Sequence, residues 1–138
     1  MTERRKRPAR VFILEDDGER LDDFQATLGR AHVTIASSYD EAIALFKPPY
    51  DILCLDHDLG SWDTVNADIE NNGYEFVLWL PRASDTFRPT VFVHTSNEER
   101  GVAMGRELRG KGFTPIVQSF GSTMLEALRI QSALRQTS

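Results

Sequence analysis

Apolar positions along the chain follow two alternating patterns. Five short runs, Val11–Leu14, Val33–Ala36, Ile52–Leu55, Thr90–His94 and Pro115–Gln118, have strand length and little polar interruption. Such runs, bounded by turn signals, predict buried parallel strands. Between them apolar residues recur at helical spacing. Leu21, Phe24 and Leu28 mark a first helix that Gly29 closes. Ser38-Tyr39-Asp40-Glu41 matches a capping box, with Ala42, Ile43, Leu45 and Phe46 behind it and Pro48-Pro49 as its stop. A longer connection, Gly60 to Asn72, leads to a short helix from about Tyr74 to Leu80. The next helix starts near Asn97 and runs past Leu108 to Gly110-Lys111-Gly112. A second capping-box match, Thr123 to Glu126, opens a last helix with Leu125, Leu128 and Leu134 on its face.

Five strand–helix units predict one α/β domain, a doubly wound parallel sheet with helices on both faces. It spans 10–138, behind a basic tail at 1–9. The 138-residue length suits a single core. No apolar run approaches the length of a membrane span. The lone cysteine, Cys54, lies within an apolar run and fits a reducing cytoplasm. Five of the first ten residues are basic and one is acidic, so the rest of a chain of net charge −5 is strongly acidic. The basic arm reads as a solubilising tail, and the acidic body argues against a broad nucleic-acid face.

The acids change the picture through their position. The first strand ends in Glu15-Asp16-Asp17, the third in Asp56-His57-Asp58 and the fourth in His94-Thr95-Ser96-Asn97. Ligands of open α/β sheets bind beyond the carboxyl ends of the strands. These residues therefore predict one composite site, with Glu15, Asp16 and Asp56 as oxygen ligands for Mg²⁺. The metal would neutralise an incoming phosphoryl group while Asp56 attacks it, and Thr95 would hydrogen-bond a phosphoryl oxygen. Asp17 and Asn97 read as helix caps. Arg100 reads as helix surface, His32 as loop–strand surface and Cys54 as core. Trp62 either covers the site or packs the long connection.

At these residues the chain resembles a response-regulator receiver domain over nearly its whole length. The resemblance implies a flavodoxin-like (CheY-like) sheet of strand order 2-1-3-4-5. It implies an acidic pair at Glu15-Asp16, a phosphoacceptor at Asp56, a metal ligand at the Asp58 backbone carbonyl and a hydroxyl at Thr95. Where receivers carry Lys-Pro after the fifth strand, this chain has Gln118-Ser119, which keeps a donor but no charge. The stretch from Ser61 to Glu70 looks inserted, and His57 and His94 stand beside the two central strand-end residues. Asp56-His57-Asp58-Leu59-Gly60 and His94-Thr95-Ser96-Asn97 resemble a narrower subclass, the cyclic-phosphate-processing receivers.

Three functions follow as expectations. The first is a divergent receiver that binds Mg²⁺ and processes or senses phosphate esters, chiefly cyclic phosphates on a small molecule or an RNA end. There Asp56, His94 and His57 would be catalytic, Thr95, Ser96 and Gln118 would hold phosphate, and Glu15, Asp16, Asp56 and Asp58 would hold metal. His94 is the sharper acid/base candidate, although strand alternation sets it and Thr95 on opposite faces unless the strand has ended. The second is a stand-alone receiver without an output domain, phosphorylated on Asp56 by a histidine kinase and read by a partner. The third is a pseudo-receiver that binds protein without phosphate chemistry. An Asp-x-Asp motif as in haloacid-dehalogenase-like phosphohydrolases remains a minor analogy.

Overall fold

A computed structural model describes residues 7–60 and 64–136. The expected basic tail, over its positions 1–6, and Trp62 lie outside these residues. In chain order the elements are β1 (Arg10–Leu14), α1 (Gly18–Leu28), β2 (His32–Ala36), α2 (Tyr39–Leu45), β3 (Ile52–Leu55) and α3 (Gly73–Trp79). β4 (Thr90–His94), α4 (Glu98–Gly110), β5 (Pro115–Gln118) and α5 (Ser122–Arg135) follow. The strands form one parallel sheet in the order 2-1-3-4-5. No described helix is long and apolar enough to cross a membrane.

Strand alternation divides the core into two layers. Phe12, Leu14, Leu53, Leu55, Val91 and Val93 face α2, α3 and α4, where they meet Phe46, Phe76, Met104 and Leu108. Val11, Ile13, Ile52, Cys54 and Phe92 face the other way and meet Phe24 and Leu28 of α1 and Met124 and Leu128 of α5. Both faces of the sheet are covered, which is why the strands read as unbroken apolar runs. The buried region begins before β1, since Ala9 is fully buried and its carbonyl accepts from the His32 N–H at 2.8 Å.

Local signals explain most helix ends. Asp17, Ser38, Asn72 and Asn97 each accept a backbone N–H of the first turn that follows. Gly29 ends α1 at φ +54°, a conformation that favours glycine. The last helix departs from expectation. It begins at Ser122, and its cap position, Gly121, offers no side chain. Thr123 already lies inside the first turn, so Thr123–Glu126 is not a capping box. Helix α2 stops at Leu45, ahead of Pro48, because the residue before a proline avoids the helical region.

The long connection after β3 folds back onto the strand end. Asp58 bridges antiparallel to Asn72, and the Gly73 N–H donates to the His57 carbonyl at 2.8 Å. A Cβ on Gly73 would stand 1.8 Å from the Asp56 carbonyl oxygen. Only glycine lets α3 start so close to Asp56. Asn71 pins the rest, its Nδ2 donating to the Leu59 carbonyl while its Oδ1 accepts from the Tyr39 N–H.

Candidate functional site

The ends of β1, β3 and β4 bring Glu15, Asp56 and His94 together. One ligand atom from each lies within 4.8 Å of the others, and all three residues are buried. Glu15 is fully enclosed. Its Oε2 accepts from the backbone N–H of Asp16 at 3.1 Å and of Asp17 at 3.3 Å. Its Oε1 lies 3.0 Å from His94 Nε2. Asp56 Oδ1 accepts from the His57 N–H at 2.8 Å. Arg20, one turn into α1, reaches back with Nη1 at 3.6 Å from Glu15 and 4.0 Å from Asp56. Its guanidinium also lies over the Phe120 ring, at 5.1 Å.

Two carboxylates so close cannot both carry charge comfortably. Burial, then repulsion from Glu15, pushes the Asp56 carboxyl up to about 8, against the pull of Arg20. Burial would raise Glu15 too, but hydrogen bonding and attraction from His94, with hydrogen bonds from Asp56 and the Asp17 backbone, outweigh it and hold Glu15 below the usual range. The negative charge of the pair therefore sits on Glu15.

His94 is sealed in. It packs edge-on against Phe24 and Phe120 on the α1–α5 side, with ring centroids 5.2 and 6.0 Å away. Burial lowers its pKa more than Glu15 restores it. As a neutral ring it donates from Nε2 to Glu15, and Nδ1 is left with no partner among the described residues. Thr95 turns the other way, as strand alternation requires. Its Oγ1 accepts from the Asn97 N–H at 3.1 Å. Gly101 allows α4 to close over it, since a Cβ there would stand 3.0 Å from Thr95 Cγ2.

The remaining predicted residues lie around this cluster. Asp16 is exposed and outside it; burial and the Glu15 charge raise its pKa. Thr95, Ser96 and Gln118 line a groove of about 430 Å³ between α4 and β5. Gln118 Oε1 is buried there without a partner among the described residues.

The second histidine has a different setting. His57 Nδ1 lies 2.9 Å from Asp58 Oδ1, which also accepts from Arg100 Nη1 at 3.1 Å. The hydrogen bond with His57, reinforced by the attraction of His57 and Arg100, lowers the Asp58 pKa against its partial burial. The Asp58 carboxylate thus serves His57 and Arg100. His57 lines a pocket of about 340 Å³ between α3, α4 and the end of the long connection, with Tyr74, Glu75 and Arg100.

Sequence reasoning missed the role of Arg20. Its signal was the Asp17-x-x-Arg20 spacing, which returns the cation over the strand end one helical turn after the cap. The Glu15–His94 pair had no local signal, since 79 residues separate its members.

Comparison with known proteins agrees with this fold. The family model of the cyclic-phosphate processing receiver domain matches residues 13–110. No curated protein matches the chain. Among solved structures it is similar to the phosphorylated cyanobacterial phytochrome response regulator RcpA, with a TM-score of 0.63 and 14% identity over 93% of this chain and 91% of that one. The Mn²⁺-bound response regulator Rcp1 has a TM-score of 0.60 and 16% identity, over 92% and 91%. A CheY-like receiver domain from Methanospirillum hungatei JF-1 has a TM-score of 0.58 and 17% identity, over 94% and 97%. At such identities the likeness is one of fold.

Proposed function

The chain belongs to the cyclic-phosphate processing receiver domain family, and from that premise we propose that it opens cyclic phosphate esters at the carboxyl end of its sheet. The carrying observation is the buried Glu15–Asp56–His94 cluster with an Asp58–His57 pair directly beside it. Buried carboxylates normally have a partner cation. Among the described residues the one permanent cation that faces them is Arg20, at 3.6 and 4.0 Å, and burial with repulsion between the two leaves a proton on Asp56. That donor set fits a divalent cation, which Glu15 and Asp56 would hold, with Asp16 and the Asp58 carbonyl as the further oxygen ligands expected from the sequence. Mg²⁺ suits the oxygens. When bound, it would supply charge neutralisation for the phosphoryl oxygens.

The chain's own residues divide the other tasks. Thr95 accepts the Asn97 N–H and so keeps its hydroxyl proton free for a phosphoryl oxygen. Ser96, exposed at the start of α4, adds a second hydroxyl. With a cation in the site Asp56 would give up that proton; water then adds its oxygen to phosphorus and passes a proton to the ionised Asp56 carboxylate. The bond from phosphorus to one ring oxygen breaks, and that oxygen takes a proton from His57. Asp58 holds the ring by Nδ1–H and stabilises the imidazolium form, whose Nε2–H is the proton transferred. His94, fully buried behind Glu15, acts through that carboxylate as a positioning residue. From the sequence both histidines are expected to be catalytic, with His94 the sharper candidate; here only His57 transfers a proton.

Incubation with a nucleoside 2′,3′-cyclic phosphate and Mg²⁺ or Mn²⁺, followed by ³¹P NMR, tests the reading. The expected product is a phosphate monoester. Asp56→Asn and His57→Ala should each abolish turnover; no product from the unaltered protein would remove the enzymatic reading.

One observation favours a second reading, a stand-alone receiver phosphorylated on Asp56 by a histidine kinase. Asp56 follows β3 at 3% exposure, and Thr95 follows the neighbouring strand β4. Solved structures of similar fold include a phosphorylated regulator and a BeF3-activated receiver domain, DrrB. Gln118 weighs against it, because no cation stands there to pair with a phosphoaspartate. Acetyl phosphate with Mg²⁺ should then add one phosphoryl group at Asp56 by mass; an unchanged mass counts against it.

A further inference from the structure

The pocket beyond His57 has a composition that the chemistry above does not use. It holds about 340 Å³ between α3, α4 and the end of the long connection, within the range of small-ligand sites. Its wall carries an aromatic ring, Tyr74, fixed at its tip by a hydrogen bond from its hydroxyl to Glu107 on α4, at 3.3 Å. Two carboxylates, Glu70 and Glu75, also line it. Asn72 is already committed: its Oδ1 accepts the Glu75 N–H at 2.9 Å and its Nδ2 donates to Glu70 at 3.2 Å. The single cation, Arg100, is engaged with Asp58.

This wall disfavours a second phosphate, whose charge would meet two carboxylates and one cation already paired. It suits a flat, neutral ring that stacks on an aromatic face and offers N–H donors to acceptor-only oxygens. His57 borders both this pocket and Asp56, to whose carboxylate its own backbone N–H donates. A ring seated here therefore lies next to the reacting phosphate. We infer that the Tyr74–Glu75–Glu70 pocket binds the base of a nucleoside 2′,3′-cyclic phosphate or RNA end and prefers guanine.

The preference follows from donor geometry. Guanine presents N1–H and N2–H side by side, which one carboxylate can accept as a pair. Uracil presents a single N–H between two carbonyl oxygens, both repelled by a carboxylate. The inference rests on the phosphoesterase reading for its biological meaning, so the test separates the two.

Three substrates are compared by ³¹P NMR under the same metal conditions: guanosine 2′,3′-cyclic phosphate, uridine 2′,3′-cyclic phosphate and glycerol 1,2-cyclic phosphate, which has no base. The inference expects kcat/KM to favour guanosine over uridine by about tenfold or more. Tyr74→Ala and Glu75→Gln should each bring the guanosine value down towards that of the baseless substrate, chiefly through KM. Equal rates on all three substrates, or equal loss on all three in either variant, overturn the pocket but leave the phosphoesterase standing. If no substrate is turned over, the phosphoesterase reading fails, and free guanosine becomes the probe. Shifted Tyr74 ring resonances on titration with guanosine, absent with uridine, then sustain the pocket; unshifted resonances overturn it.

Discussion

His94 and His57 stand one strand apart, each adjoining a residue of the strand-end site, yet their surroundings are opposite. His94 points to the α1–α5 side, fully buried between Phe24 and Phe120, and meets only Glu15. His57 borders an open pocket and is held by Asp58 with Arg100 alongside. A proton-transfer group must reach its substrate, and His57, although only 6% exposed, lines a pocket that a ligand can enter. A group that fixes a carboxylate must be rigid and dry, and His94 meets that need. The same residue type is thus sorted by the face of the sheet it occupies.

The contrast can be broken at its joint. Gly73 packs against the Asp56 carbonyl, so Gly73→Ala must displace either α3 or the end of β3. Urea denaturation should show a loss of about 3 kcal/mol or more, the upper end for overpacking against backbone. A smaller loss would mean that α3 moves freely relative to Asp56.

The two histidines should differ next. His94→Ala leaves Glu15 buried without its partner and opens a cavity between two aromatic rings, costing about 3 kcal/mol. His57→Ala removes a buried side chain, but one that lines a pocket and so leaves no sealed cavity, and should cost less, about 1–2 kcal/mol. Equal losses would erase the structural distinction. Turnover should divide the opposite way, with His57→Ala the more damaging per unit of stability lost.

The pH dependence sharpens the same comparison. Asp56 has its folded pKa raised to about 8, above its unfolded value of 3.8, so the folded protein holds an extra proton between them. The stability this supplies is whole below the unfolded value and is lost progressively as pH rises from there through about 8. Glu15 runs the other way. Its folded pKa is lowered, so its contribution is present above 4.5 and lost as pH falls through the folded value. Thermal melts in the absence of divalent metal should therefore weaken from pH 5 to pH 9, and Asp56→Asn should flatten that fall. A melt that is level across this range in the unaltered protein would show that the two carboxylates do not interact as described.

The smallest effect belongs to the open side. Arg100→Ala breaks a pair whose members are both about half exposed, and such pairs contribute about 0.5 kcal/mol. A stability change above about 1 kcal/mol would show Arg100 holding α4 against the long connection.

The strands were legible because both faces of the sheet are covered, so their apolar runs are unbroken. Asp17, Ser38 and Asn97 were legible as caps because capping is a contact across three residues. Thr123–Glu126 misled for the same reason: the local match was present, but the path of the chain out of β5 starts the helix at Ser122, where no side chain caps it. The strand-end acids were visible as a group, since topology alone collects them at one edge.

What the chain determined by itself was the βα order and the residues that end each strand, because both follow from periodicity and turn chemistry within a few neighbours. Which carboxylate keeps the proton, that Arg20 closes over the pair, and which histidine is sealed and which lines a pocket were decided by the tertiary structure alone. These properties depend on burial and on distances between residues up to 79 positions apart. No local pattern encodes such a separation; only the packed sheet does.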